Sequence, residues 1–187
     1  MAFPESFSTA RLSAERLSAA HLADLRRLQT NPRMMEHLGG IRSAEQTEAY
    51  LARNLAHWDR HGFGLWLLRD APGQAVVGLA VLRHVAIDGV DEVEVGYGFH
   101  ESRWGKGLAT EITAACLRYG WRELRLETIV ALTRPANLAS HRVLRKTGLE
   151  LEREVSVDGV PNLLFRTRPG WSGGGQASQE TRPTRMA

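Results

Sequence analysis

The stretch EVEVGYGFHESRWGKGLATE, residues 92–111, decides how this chain folds. EVEVGYGF, 92–99, reads as a strand. ESRWGKGLATE, 101–111, then sets Gly105, Lys106 and Gly107 together and opens a helix that runs to about Glu123. A helix start leaves its first backbone N–H groups without partners, and the helix dipole adds partial positive charge there, so this turn is a candidate anion site. The two glycines remove the Cβ atoms that would hold a phosphate away, and Arg103 and Lys106 can add charge. Two known glycine motifs do not fit. A P-loop needs a hydroxyl residue after its lysine, where Gly107 stands, and the dinucleotide fingerprint needs glycine at position 110, which is Thr110. As a bare spacing, G-x-G is also that of an ordinary strand-to-helix turn.

Working outward, TARLSAERLS reads as a first strand, followed by a helix over about residues 19–30 that ends near NPRM. A second helix starts at Ser43, where Ser43 and Gln46 form a capping box and Leu51, Leu55 and Trp58 supply an apolar stripe. Strands follow at GLWLLRD, AVVGLAVLRHV and EVEVGYGF, joined by the turns DAPGQ and IDGVD. After the helix of the glycine stretch come the strand TIVALT, a helix over roughly 136–147 closed by Gly148, and two strands around VDGVP. The sum is an α/β (α+β) single domain whose mixed central sheet is mostly antiparallel and flanked by helices.

The 187 residues suffice to bury one core without disulfides or metal. Cys116, the single cysteine, falls among Leu108, Ile112 and Tyr119 at helical spacing and reads as a core residue rather than a nucleophile. The net charge of +3 is scattered, with arginines beside acids in ELRLE and LEREV, and no basic stripe with interleaved aromatics suggests nucleic acid. No apolar run reaches membrane-span length and the N-terminus lacks the apolar middle of a secretory signal, so a cytoplasmic protein is expected. His57 and His61 lie i, i+4 as zinc ligands can. Trp58 stands where the metalloprotease glutamate would be, however, and no metal is expected. Residues 170–187, rich in Gly, Ser, Gln and Thr, read as a disordered tail beyond a domain over 8–169.

A second motif, RPANLASHRVLRKTGLE, places Asn137, Ser140 and Leu144 along a short helix after a strand. Together, EVEVGYGFHESRWGKGLATE and ALTRPANLASHRVLRKTGLE resemble the GNAT superfamily of acetyl-CoA-dependent N-acetyltransferases. Within it, the likeness over about residues 8–168 points to the RimJ/RimL type, whose best-known members acetylate the N-termini of ribosomal proteins. The resemblance implies that backbone amides from Arg103, Trp104, Gly105, Lys106, Gly107 and Leu108 wrap the pyrophosphate of coenzyme A. Pantetheine would lie like an added strand beside Tyr97, Gly98 and Phe99 where central strands splay, with Asn137 bonded to it. Gly96 and Gly98 suit this, since glycine within a strand marks a bulge or a close approach. The family's usual Gln or Arg three residues before the first glycine is Ser102 here.

Acetyl transfer needs a neutral amine, a polarised carbonyl and a proton for the departing thiolate. Backbone N–H groups freed by a bulge near 96–99 are expected to serve the carbonyl. Glu94 matches the family's glutamate and is the candidate base, acting through water; as a plain strand carboxylate it would have no such role. The family's tyrosine acid falls at Leu144, which leaves Ser140 as the candidate donor, or else a packing or coenzyme A contact. His100 and His141 lie near enough to help move protons. The acceptor is an amine: a protein N-terminus suits a modest catalytic set, because an α-amine near pKa 8 is partly neutral where a lysine near 10.4 is not. A small-molecule amine, or a coenzyme A binding module without catalysis, are the alternatives. Whether the chain forms a homodimer is open.

Overall fold

The computed structural model describes residues 5–70 and 74–168. Its eight strands are β1 (Ser6–Ser8), β2 (Ser13–Arg16), β3 (Leu65–Arg69), β4 (Val76–Ile87), β5 (Val90–Phe99), β6 (Val130–Thr133), β7 (Leu149–Val157) and β8 (Val160–Thr167). They form one sheet in the order β1-β2-β3-β4-β5-β6-β8-β7, antiparallel except where β5 meets β6. The helices are α1 (Leu22–Gln29), α2 (Pro32–Met35), α3 (Ala44–His61), α4 (Leu108–Arg122) and α5 (Leu138–Lys146).

Strand alternation sorts the core into two layers. In β3, Leu65 and Leu67 pack with Leu25 and Leu28 of α1 and Leu51 of α3, while Trp66 and Leu68 pack with Ile112 and Leu117 of α4. Ser43 caps α3 as expected: its Oγ accepts from Gln46 N–H at 3.2 Å and its own N–H donates to Gln46 Oε1 at 2.8 Å. The helix stops at Gly62, which takes the left-handed φ of 73°. Both Asp-Gly pairs, Asp88-Gly89 and Asp158-Gly159, have positive φ at both residues and close two-residue hairpins.

Three expectations need amending. TARLSAERLS is not one strand but the bend and second strand of a hairpin, because Thr9 N–H and Oγ1 turn the chain back onto Leu12 O. NPRM does not merely end a helix. Asn31 Oδ1 accepts from Met34 N–H at 2.9 Å and Pro32 takes the first helical position, so α2 begins there. No bulge interrupts β5 near its glycines, since the β4–β5 register runs unbroken from Gly78↔Phe99 to Ile87↔Val90. Residues 71–73 of the DAPGQ turn, and 169–187 with the expected tail, lie outside the described residues.

Candidate active site

Where β5 and β6 meet, they are in register at one pair, Glu94↔Val130, and among the described residues β5 runs on through Phe99 with no strand paired to it on that side. His100 N–H donates to Val77 O of β4 at 2.9 Å, and this fixes the alternation. The peptide groups of residues 96 and 98 face β4, and those of 97 and 99 face the gap. Phe99 O is taken by Trp104 Nε1 at 2.8 Å, which leaves Tyr97 N–H, Tyr97 C=O and Phe99 N–H as the edge groups open to a ligand. Divergence of two strands thus frees the donors expected from a bulge.

A cleft of about 480 Å³ enters at this gap. Tyr97, Gly98 and Phe99 line it, as do Arg103, Trp104, Gly105, Gly107 and Leu108 from the turn into α4, and Asn137 and Ser140 from the start of α5. Ten residues singled out from the sequence are therefore brought together. Lys106 lines no part of it. Glu94 does not either: it is 6% exposed and ion-paired with Arg83 across the β4–β5 ladder. Residues directly opposite share a face, so Glu94, Gly96 and Gly98 belong with Arg83, Val81 and Leu79 on the α1/α3 side. Val95, Tyr97 and Phe99 belong to the α4 side.

The glycine turn is built for an anion. Gly105 and Gly107 have φ of 72° and 77°, which side chains with a Cβ seldom adopt, and a Cβ at Gly105 would meet open space. α4 begins directly after Gly107, presenting its unpaired N–H groups to the cleft. Arg11 braces the loop from the β1–β2 hairpin. Its Nη1 donates to Lys106 O at 2.7 Å and its Nε to Glu111 Oε2 at 2.7 Å, while Thr9 Oγ1 donates to Glu111 Oε1. Burial works to raise the Glu111 carboxyl, but the bonds from Thr9 and Arg11 outweigh it and hold it below the usual range.

Arg103 is occupied by Asp70 at 2.7 Å and Arg33 stacks on Trp104, so the cations left to meet an anion beside the turn are Arg142 and Lys146, four residues apart on the cleft face of α5. The sequence reading missed these two, though their spacing on a helix it had located was the available signal. It also missed Met34 and Leu38, which close the cleft over Gly98: a Cβ there would lie 2.9 Å from Met34 Cε and 2.8 Å from Leu38 Cδ1. Asn31 fixes α2 for this purpose, since its Nδ2 donates to Glu101 Oε2 at 2.9 Å.

Two hydroxyls meet on the cleft wall, Tyr97 Oη and Ser140 Oγ, 3.0 Å apart. Burial pushes the Tyr97 phenol up to about 12, with the Ser140 hydrogen bond opposing, so the phenol stays protonated at neutral pH. Asn137 caps α5, its Oδ1 accepting from Ser140 N–H at 3.1 Å, which orients Ser140. Leu144 is buried core at 2% exposure. His141 is also buried, bonded to Arg134 O at 3.1 Å, and His100 turns to Ser102 at 3.0 Å. Neither histidine lines the cleft. Burial pushes the Cys116 thiol up to about 12, which makes it an inert core group. Both ring nitrogens of His57 are engaged, by Phe63 O and His84 N–H, and among the described residues no cluster of three or more acidic, His or Cys side chains is placed to hold a metal ion. No helix among them is long and apolar enough to cross a membrane.

Comparison with known proteins agrees with this geometry. A family model described as an acetyltransferase (GNAT) domain matches residues 11–150. The uncharacterized protein YkkB of Bacillus subtilis is 30% identical over 141 residues, 75% of this chain and 82% of YkkB. An acetyltransferase from Agrobacterium tumefaciens superposes with a TM-score of 0.78 at 24% identity, covering 90% of this chain and 96% of that one. RimL, a ribosomal L7/L12 alpha-N-protein acetyltransferase in complex with coenzyme A, superposes with a TM-score of 0.70 at 19% identity, covering 90% and 98%.

Proposed function

The chain belongs to the GNAT acetyltransferase family and is an acetyl-CoA-dependent acyltransferase, and on that premise we propose that it acetylates the N-terminal α-amine of a protein or peptide, as a member of the RimJ/RimL-like branch. The observation that carries this reading is the cleft itself. One opening combines a glycine-lined helix start, the free edge of β5 and a protonated hydroxyl pair, and Glu36 is the single carboxylate among its described lining residues. A polycationic small amine would find little to hold it there, whereas a peptide needs an edge and an open groove.

The residues fit coenzyme A. Backbone N–H groups between Arg103 and Leu108 would hold the pyrophosphate, with Arg142 and Lys146 adding charge, and Tyr97–Phe99 and Asn137 would receive the pantetheine arm. When bound, acetyl-CoA supplies a thioester whose carbonyl carbon takes the amine and whose sulfur leaves as a thiolate. Tyr97 N–H, facing the gap, is the donor for the carbonyl oxygen. The Tyr97–Ser140 pair delivers a proton to the sulfur from Ser140 Oγ, which Tyr97 Oη replenishes, and the phenol regains its proton from solvent in the cleft. Glu94, paired with Arg83 on the other face, accepts the amine proton through a chain of waters. An α-amine needs little help, being partly neutral at physiological pH.

An acceptor screen with acetyl-CoA tests the reading. Free peptides and small amines are compared by thiol release and by the mass of the product. Acetylation at peptide α-amines is expected; turnover confined to small amines, or to lysine side chains, would overturn it.

A further inference from the structure

On the α1/α3 face of the sheet, next to the cleft, lies a group of charges that cofactor binding does not use. Tyr50 of α3 is buried, and two guanidiniums stack on its ring, Arg42 at 4.7 Å and Arg53 at 5.8 Å from the ring centre. Arg83 stands close by, paired with Glu94. Three guanidiniums against one carboxylate leave two positive charges in excess. Neither Arg42 nor Arg53 has a carboxylate within ion-pairing distance among the described residues. Arg42 is fixed in place: its N–H donates to Gln29 O at 3.1 Å, and its Nη2 reaches Leu38 O at 3.3 Å, on the loop whose Leu38 side chain lines the cleft. Burial, helped by Arg53 and Arg83 nearby, outweighs Tyr50 and pulls the Arg42 guanidinium below its ordinary value.

Stacking on the ring holds the guanidiniums in place but supplies no counter-charge, which an anion can provide. Guanidinium is also the group best suited to grip a carboxylate. The distance is right for an acceptor. From Tyr97, at the gap, to Glu94 and its partner Arg83 is three residues of strand, about 10 Å, which is the span from a peptide's α-amine to an acidic side chain at its second or third residue.

Resting on the reading of the acceptor as a peptide N-terminus, we propose that Arg42, Arg53 and Arg83 around Tyr50 form an acceptor subsite for a carboxylate side chain near that N-terminus, so that the enzyme selects acidic N-terminal sequences. Arg83 is already neutralised by Glu94 and serves as the floor of the site. Arg53, exposed and free, and Arg42, preorganised by its backbone contacts, make the new ion pairs.

The test uses three free peptides that begin with serine and differ only at the second residue, Asp, Asn or Lys, with parallel versions varied at the third. The Asp peptide should exceed the Asn peptide by about 10- to 100-fold in kcat/KM, the range of a charge-assisted contact. The Lys peptide should be poorest, and the preference should shrink with added salt. Arg53→Gln, at an exposed position, and Arg42→Gln should each bring the Asp/Asn ratio towards one while leaving coenzyme A affinity at the wild-type value, which also reports that the variant is folded. Equal rates on all peptides, or an Asp/Asn ratio unmoved in both variants, would overturn the subsite and leave α-amine acetylation standing. Turnover of no peptide, beside turnover of a small aminocarboxylate, would overturn the peptide reading and this inference with it.

Discussion

Removing one oxygen tests the assignment of the proton donor. Tyr97→Phe deletes the hydroxyl 3.0 Å from Ser140 Oγ and leaves the ring in its packing against the α4 layer. One hydrogen bond is lost without a cavity, so stability should fall by about 0.5–1.5 kcal/mol, or about 1–6 °C in Tm for a chain of this size. The kinetic cost should be larger. General acid assistance contributes about 10²- to 10⁴-fold, and a thiolate with a conjugate pKa near 8.5 needs the low end of that range. Turnover by Tyr97→Phe should therefore drop by about 10²-fold at saturating acetyl-CoA, and Ser140→Ala by a similar factor. Because the two hydroxyls act in series, the double variant should lose hardly more than the worse single.

The pH dependence separates this role from a structural one. A phenol held at about 12 stays protonated across pH 6.5–9.5, so the loss should be nearly constant over that window. Stability behaves differently. The folded phenol titrates at about 12 against an unfolded value near 10, so the unfolded chain loses its proton first. The contribution is complete below about pH 10 and is lost as pH rises towards about 12. Tyr97→Phe should lack that part of the alkaline decline, by difference from wild type in thermal melts. If Tyr97→Phe keeps wild-type kcat, or if the double variant multiplies the single losses, the hydroxyl pair is not the donor.

Gly107→Val forces a β-branched residue to a φ of 77° at the start of α4, at about 1–3 kcal/mol of strain, and should abolish coenzyme A binding by calorimetry; Gly105→Ala, whose Cβ meets open space, should weaken binding with a smaller stability loss, and equal affinity in both would refute the anion site. Glu94→Gln should lower turnover at neutral pH, keep cofactor affinity, and recover rate as pH rises and the amine deprotonates itself; an unchanged profile removes Glu94 from the mechanism. His57 and His61 stack with His84, at 4.5 Å and 4.3 Å between successive rings, and burial, assisted by their neighbours' charge, lowers both below 6.5. Unfolding then takes up protons below that value, so Tm should hold above about pH 6.5 and fall as pH drops below it, and His61→Asn should lessen the fall.

What was legible in the sequence was the part fixed by local chemistry. A capping box, two Asp-Gly turns and a glycine turn between a strand and a helix each act within a few residues, and each appears where it was read. The sheet's parallel join could not be read that way, because β5 and β6 touch at one register pair and their divergence leaves no mark in either strand. The same limit explains the error over the bulge. Gly96 and Gly98 signal close approach, but the sequence does not say of what, and the answer is Val81 behind one and Met34 and Leu38 over the other. The hydroxyl pair was half legible. Ser140 was singled out as donor, while Tyr97 was read only as a wall of the cofactor site, since their 3.0 Å contact joins residues 43 apart in the chain.

Strand alternation also explains why Glu94 and Tyr97 cannot be neighbours, though three residues apart. An odd spacing puts them on opposite faces of the sheet: Tyr97 with Ser140 under α5, Glu94 with Arg83 under α3. On the proposed mechanism this separation is useful. The thiolate leaves on one face and is protonated there, while the amine arrives from the other, where a carboxylate waits and a protonated phenol does not. The gap beyond Val130 is what lets a reaction span the sheet, because a sixth strand in full register would consume the Tyr97 and Phe99 peptide groups and close the passage. The short β6 is therefore as much a part of the site as any side chain in it.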